Sequence, residues 1–436
     1  MAIKILVISR TPWNINNSFG NSYENIFTNL KDIEICNLYC DFGYPKSKIV
    51  KKFYRINEKT MIKKILGLNK TAIENVKIDE NKFNNKEVNF VNRIKKLRYW
   101  FFYLLRDLVW SIGNWKDDGL LNAIKIFNPD IIFQPIYFST YMNDIVYYVK
   151  KNINKPIIGY VSDDVYFYRF PSYSLYFLCK KFLVRLKVKK VIKNCELLYV
   201  ITERQKKDYE KYFKIKCKVL TKGYEFSDEK KNEYDSNKNQ IIKIVYTGNL
   251  APERFQSLLK LAKLTDYLNS EKKHFEIDVY SGTILSNKNI KDLNKFRSLK
   301  YYGEIDNELI PKIQKDSDIL LFLESDNKIY KEKIKYSFST KLIDYFFANR
   351  TILAIGPRNI APIEYLDKND SALIAENEKE LQKILNNIIK NRNILSEYAE
   401  KAWNCGVRNH QREKIQTELL NDIKIIKETG LKNESS

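Results

Sequence analysis

Apolar residues in this chain come in unbroken runs rather than in alternation. KILVIS (residues 4–9), IIFQPIY (131–137), PIIGYV (156–161), IIKIVY (241–246), DILLFLE (318–324) and TILAI (351–355) have this character, and FEIDVY (275–280) reads as a further strand. A run with little polar alternation predicts a strand buried on both faces, as in a parallel sheet. Between the runs lie segments of helical period, among them residues 22–30, 176–193, a stretch capped by Thr202, and 251–268 with apolar positions at Phe255, Leu258, Leu259, Ala262 and Leu264. Strand, turn and helix in repetition predict an α/β fold. SDEKKNEYDSNKNQ (227–240) is polar throughout and reads as a linker. The chain is therefore divided into an N-terminal domain (1–226), the linker, a second domain (241–394) and a final helical region with its tail (395–436). Residues 44–115 are the least regular part, mixing Lys and Arg with aromatics and aliphatics at roughly helical spacing. Such faces suit either an anionic membrane or packing as an insertion on the sheet.

The stretch KYSFSTKLIDYFFANRTILAIG (335–356) organises the rest. A Ser/Thr/Lys turn, carrying Ser339, Thr340 and Lys341, leads into a short amphipathic helix, then into the strand TILAI closed by Gly356. The amino end of such a helix favours an anion through its N–H groups and dipole, and Lys341 adds a positive charge there. Asp344, one turn on, is placed to accept hydrogen bonds from sugar hydroxyls. The same strand, glycine turn and helix recur at Thr247, Gly248 and Asn249, with Arg254 as the nearby cation, read either as a phosphate ligand or as a solvated helix-start residue. At the start of the chain Gly20 sits between a strand and a helix, as a backbone approach to phosphate or as an ordinary cap. The run ending at 161 is followed by Asp163 and Asp164. Ligands of open α/β sheets sit at the carboxyl ends of strands, so this pair either orients or deprotonates an acceptor hydroxyl, or Asp164 caps a helix. Adjacent residues on extended chain point apart, which disfavours a metal clamp; no metal is expected.

LIDYFFANRTILA resembles, without a gap, the nucleotide-sugar signature of GT-B glycosyltransferases, above all the retaining family four of bacterial surface-polysaccharide type. Asp344 stands where that family has the ribose-binding Glu of its E-x7-E motif. Tyr336 occupies the other end, so the acidic group near the donor sugar is absent or supplied by Glu332. LKYYGEIDNELIPKIQKDSDILLFLE (299–324) resembles the family's base-binding turn, which implies that Gly303, Glu304 and Ile305 line the base pocket; the alternative is a routine turn. The resemblance covers most of residues 1–30 and 125–425. It implies two Rossmann-like domains with parallel sheets facing across a cleft and a C-terminal helix crossing back to the N-terminal domain. It also implies donor phosphates at Gly20, Gly248, Asn249, Arg254 and Ser339 to Lys341, metal-independent retaining transfer, and no cofactor beyond the nucleoside diphosphate sugar itself.

Composition narrows the partners. The 436 residues suit two domains of ordinary size, and 44% hydrophobic with 30% charged residues is a globular balance. The formal charge of +23 points to anionic partners or to a genome biased toward Lys, Asn and Ile codons. Six scattered cysteines without a C-x-x-C pair, and only His274 and His410, argue against a metal cluster, a disulfide framework or a histidine triad. Residues 1–10 are too short an apolar run for a signal peptide. The reading is a cytoplasmic hexosyltransferase-type enzyme, with a peripheral position on the inner face of the cell membrane left open. It uses a nucleotide sugar and a glycan or polyprenyl-diphosphate-linked acceptor, as in capsule or O-antigen synthesis. The alternative is a catalytically degenerate GT-B-like protein binding anionic membrane or nucleic acid, with nucleic acid the less favoured partner. An epimerase of the same fold is disfavoured because its His and carboxylate set is missing.

Overall fold

The computed structural model describes residues 2–76, 100–167, 174–231, 233–237, 239–250 and 252–434. The middle of the basic aromatic stretch, residues 77–99, lies outside them. The chain forms two compact units, Met1–Lys222 with Lys414–Ser436, and Gly223–Glu413.

In the first unit the apolar runs at 4–9, 131–137 and 156–161 become strands β1 (Ile3–Ser9), β5 (Ile131–Pro135) and β6 (Ile157–Val161), and the sheet also takes in β2 (Ile33–Tyr39), β3 (Val50–Arg55), β4 (Glu74–Asn75), β7 (Cys195–Val200) and β8 (Cys217–Val219). They form one sheet in the order β4-β3-β2-β1-β5-β6-β7-β8. All neighbours are parallel except β3 and β4. β5 and β6 are buried at every position, the reason their sequences show no alternation. The long helix Arg412–Glu434 packs here: Gln416 donates to the Thr28 carbonyl at 2.6 Å, and Asp422 accepts from Tyr199 at 2.7 Å and Lys218 at 2.6 Å. The first helix spans Ser18–Phe27, four residues earlier than the periodicity suggests. Asn17 caps it by accepting the Gly20 amide at 2.7 Å. Gly20 is needed for a different reason: a Cβ there would lie 2.1 Å from the Asn14 carbonyl oxygen.

The second unit holds β9 (Ile242–Thr247), β10 (Phe275–Tyr280), β11 (Leu299–Gly303), β12 (Ile319–Leu323), β13 (Thr351–Ile355) and β14 (Leu373–Ala375), an all-parallel sheet in the order β11-β10-β9-β12-β13-β14. From β9 the chain builds outward through β10 and β11, then returns to lay β12 on the other side. The carboxyl ends of β9 and β12 therefore flank a topological switch point, where open α/β sheets leave a crevice. The polar stretch before β9 is tied to this unit through Tyr234, whose ring lies 4.7 Å from the Arg350 guanidinium.

Candidate functional site

The crevice between β9 and β12 brings together Lys341, Arg254 and Glu324. β9 ends at Thr247, and Gly248 follows with φ +138°, a conformation that side chains rarely adopt. A Cβ at Gly248 would stand 2.8 Å from the Lys341 ammonium, so the glycine also makes room for the lysine. Lys341 opens the helix Lys341–Ala348, behind Thr340, whose hydroxyl makes no cap hydrogen bond. Ser339 and Thr340 offer carbonyls to the Leu342 and Ile343 amides at 3.0 and 3.2 Å. The Lys341 side chain crosses back over β9, its ammonium 4.6 Å from the Tyr246 ring centroid and 3.5 Å from the Thr247 carbonyl. Burial and the nearby Arg254 push this ammonium down to about 7, against the opposing pull of Glu324 and Asp344.

Arg254 lies on the helix Pro252–Leu268 and is paired rather than solvated. It meets Glu324 through Nη2 at 2.8 Å and Nε at 3.2 Å, and its Nη1 reaches the Asn249 carbonyl at 3.4 Å. Glu324 immediately follows β12, is 3% exposed, and takes a further bond from the Tyr330 hydroxyl at 2.9 Å. This carboxylate holds the guanidinium charged, well above its ordinary range, despite burial.

Around this centre, Asn249 accepts from Thr283 at 3.1 Å, and Thr283 in turn accepts from Tyr301 on β11. Gly303 ends β11 with φ +75°, and the Glu304 carboxyl packs over Gly282, where a Cβ would approach it to 3.2 Å; Ile305 comes next. The turns after β10 and β11 thus continue the rim that begins at Asn249. Asp344 accepts from the Tyr224 hydroxyl at 2.7 Å, and the Tyr224 ring stacks on Phe347 at 4.5 Å, which fixes the carboxylate's orientation.

The remaining candidates belong to the first unit. The Gly20 amide is donated to Asn17. Asp164 closes a turn after β6, accepting from the Tyr166 and Phe167 amides at 3.0 and 2.8 Å and from Tyr209 at 3.3 Å; burial raises its pKa. Asp163 is exposed beside it. Among the described residues no three His, Cys, Asp or Glu side chains gather as a metal site.

Glu324 and Tyr224 are the site residues that the sequence alone does not single out. A carboxylate ending an otherwise apolar run, ILLFLE, is the signal for the first. In the first unit, Arg10 just after β1 and Asp41 after β2 form a looser pair at 4.0 Å, beside the switch between β1 and β5.

The architecture is that of the GT-B fold, two parallel-sheet α/β units joined in one chain. Anabaena HepE in complex with UDP superposes with a TM-score of 0.60 at 10% identity, over 97% of this chain and 100% of that one. OtsA gives 0.60 at 13% identity, over 97% and 99%. Sucrose-phosphate synthase from Thermosynechococcus elongatus gives 0.60 at 9% identity, again over 97% and 99%. No protein-family model and no curated protein matches the sequence. Among the described residues no helix is long and apolar enough to cross a membrane.

Proposed function

We propose that this chain is a glycosyltransferase that moves a hexose from a nucleoside diphosphate sugar to a glycan or polyprenyl-diphosphate-linked acceptor. The observation that carries this reading is the Lys341 ammonium lodged against Gly248 at the switch point of the second sheet, with Arg254 beside it. Negative charge grows on the β-phosphate as the glycosidic bond breaks, and fixed cations in a partly dry crevice stabilise it there. Lys341 and Arg254 are assigned that role, with Ser339, Thr340, Gly248 and Asn249 supplying the surrounding backbone. Asp344, oriented by Tyr224, is the group for the ribose hydroxyls, and Gly303, Glu304 and Ile305 border the base. UDP is the first nucleotide to test, because the HepE structures carry UDP or UDP-glucose.

The acceptor side is assigned to the first unit, where exposed Asp163 orients the incoming hydroxyl and Asp164 holds its turn. Retention of configuration, independence from metal and a place in cytoplasmic synthesis of bacterial surface polysaccharide follow from the family-four resemblance. The test is a thermal shift with UDP, GDP, ADP, CMP and dTDP, repeated with Asp344→Ala. A ligand selective for the native state adds about 2.7 kcal/mol at a hundredfold excess over its dissociation constant. A selective UDP shift that disappears in Asp344→Ala supports the reading. No shift with any nucleotide favours instead a binding module that keeps the fold without transfer, the role to which a charge of +23 also lends itself.

A further inference from the structure

The exposed large hydrophobic side chains are not scattered evenly over the described surface: 13 of 24 lie on three helices of the first unit or just past the end of one, at Leu66 and Leu68. The helix Leu175–Lys193 buries one side through Val184, Val188, Val191 and Ile192. It nevertheless carries a second apolar stripe, with Leu175 at 75%, Leu178 at 48% and Phe182 at 63% exposure, continued by Leu186 at helical spacing. Next to it, the helix Trp100–Ile112 exposes Leu108 and, at 62%, Ile112. The two are tied together by Asp107, which accepts from Tyr176 at 2.8 Å and Lys180 at 2.6 Å. Trp100–Ile112 is tied in turn to the helix Glu58–Ile65 by the Arg106–Glu58 pair at 2.7 Å, and beyond that helix Leu68 stands 69% exposed beside Lys70.

The geometry points to an in-plane docking face for an anionic lipid bilayer on these three segments of the first unit. A soluble surface rarely keeps so many aliphatic groups together without a partner. Charge selects which partner. Leu175–Lys193 contains seven Lys or Arg and no Asp or Glu. A second copy of the chain would bring like charges together on such a helix, whereas acidic headgroups offset them while acyl chains receive the leucines and Phe182. Aliphatic side chains offer nucleic acid neither stacking surface nor hydrogen bonds. A pocket of about 240 Å³ between these helices and Thr140–Ile153 has its charges already matched, Lys180 with Asp107 and Lys187 with Asp144 at 2.5 Å. The outer surface, not the pocket, therefore does the docking. The inference stands apart from the donor site, which belongs to the second unit.

The test is flotation of the full chain with phosphatidylcholine vesicles, with and without about 30% phosphatidylglycerol, for wild type and Leu178→Glu with Phe182→Glu. Wild type is expected to float only with the anionic vesicles and to be released by about 0.5 M NaCl, where surface attraction is screened. The double variant is expected to bind them at least about tenfold more weakly. Should its unfolding midpoint fall, Leu178→Gln with Phe182→Gln repeats the measurement with a milder change. An unaltered UDP thermal shift in the same variant keeps this result separate from the donor-site reading. Equal binding by variant and wild type, or no binding of wild type to anionic vesicles, overturns the proposal. A wild-type dimer that the double variant abolishes also overturns it, since the face would then belong to a second copy.

Discussion

Replacing Lys341 by methionine keeps a stem of similar length and removes only the ammonium. The structure sets opposite consequences for stability and for binding. The ammonium lies among Tyr246, Phe322 and the Gly248 backbone, and Glu324, the nearby carboxylate, is already taken by Arg254. In the folded protein Lys341 titrates near 7, below its ordinary 10.5. Between those values the unfolded chain holds one more proton than the native one, so wild-type stability rises with pH by up to about 1.4 kcal/mol per unit. Below pH 7 both states are protonated and the native protein carries the full cost of the buried charge. Lys341→Met is therefore expected to be more stable than wild type at pH 6.5, by about 2 kcal/mol or more, with the difference closing as pH rises toward 9. Binding runs the other way. A charge-assisted hydrogen bond to a phosphate contributes roughly 1.5 to 3 kcal/mol, so UDP affinity should fall about 10- to 100-fold. Because wild type must take up a proton to present the ammonium, its UDP affinity should weaken by up to about tenfold per pH unit above 7, and the variant should lose that dependence. Urea unfolding and calorimetric UDP titration between pH 6 and 9 measure both. A variant less stable than wild type at pH 6.5, or one that binds UDP within twofold with the same pH profile, refutes the reasoning.

Glu324→Gln keeps the shape of the side chain but leaves Arg254 without its counter-charge. Breaking a buried pair of this kind costs about 3–5 kcal/mol, read as a lower urea midpoint at unchanged slope. The freed guanidinium should then gain more from UDP than it does in wild type, so a variant that loses UDP-linked stabilisation removes Arg254 from the phosphate site. Tyr224→Phe deletes the 2.7 Å bond to Asp344 and retains the stack on Phe347. Its preference for UDP over 2′-deoxy-UDP in calorimetry should shrink about five- to tenfold, the worth of one oriented hydrogen bond. An unchanged preference means that Asp344 does not read the ribose.

The centre of the second sheet was legible because its strands are buried on both faces: β12 and β13 are enclosed at every position and read as plain apolar runs. β3 was lost in the basic stretch for the converse reason. Its sequence VKKFYR exposes two lysines near the sheet edge, where only the two-residue β4 lies beyond it. The earlier start of the first helix depends on Asn17 acting as its cap, a competition that apolar spacing does not register. Lys341 and Asp344 could be picked out because a strand, a turn and a helix that place them are contiguous in sequence. Glu324 and Tyr224 could not, because their partners lie 70 and 120 residues away. The Arg254–Glu324 pair exists only once β12 has been laid against β9, and no local pattern encodes that adjacency.

The same adjacency balances charge in a crevice that holds two basic side chains. Arg254 is neutralised by Glu324, and burial beside Arg254 pushes Lys341 down to about 7, so little unbalanced charge is held there near neutral pH. An arriving diphosphate changes both terms at once. It competes with Glu324 for the guanidinium, and it raises the proton affinity of Lys341 by placing negative charge beside it. A neutral sugar does neither. In the proposed enzyme, recognition therefore rests first on the diphosphate. Tyr336, buried where the resembling family carries an acid, is consistent with this order, because the carboxylate on hand is engaged with a cation instead of standing ready for sugar hydroxyls.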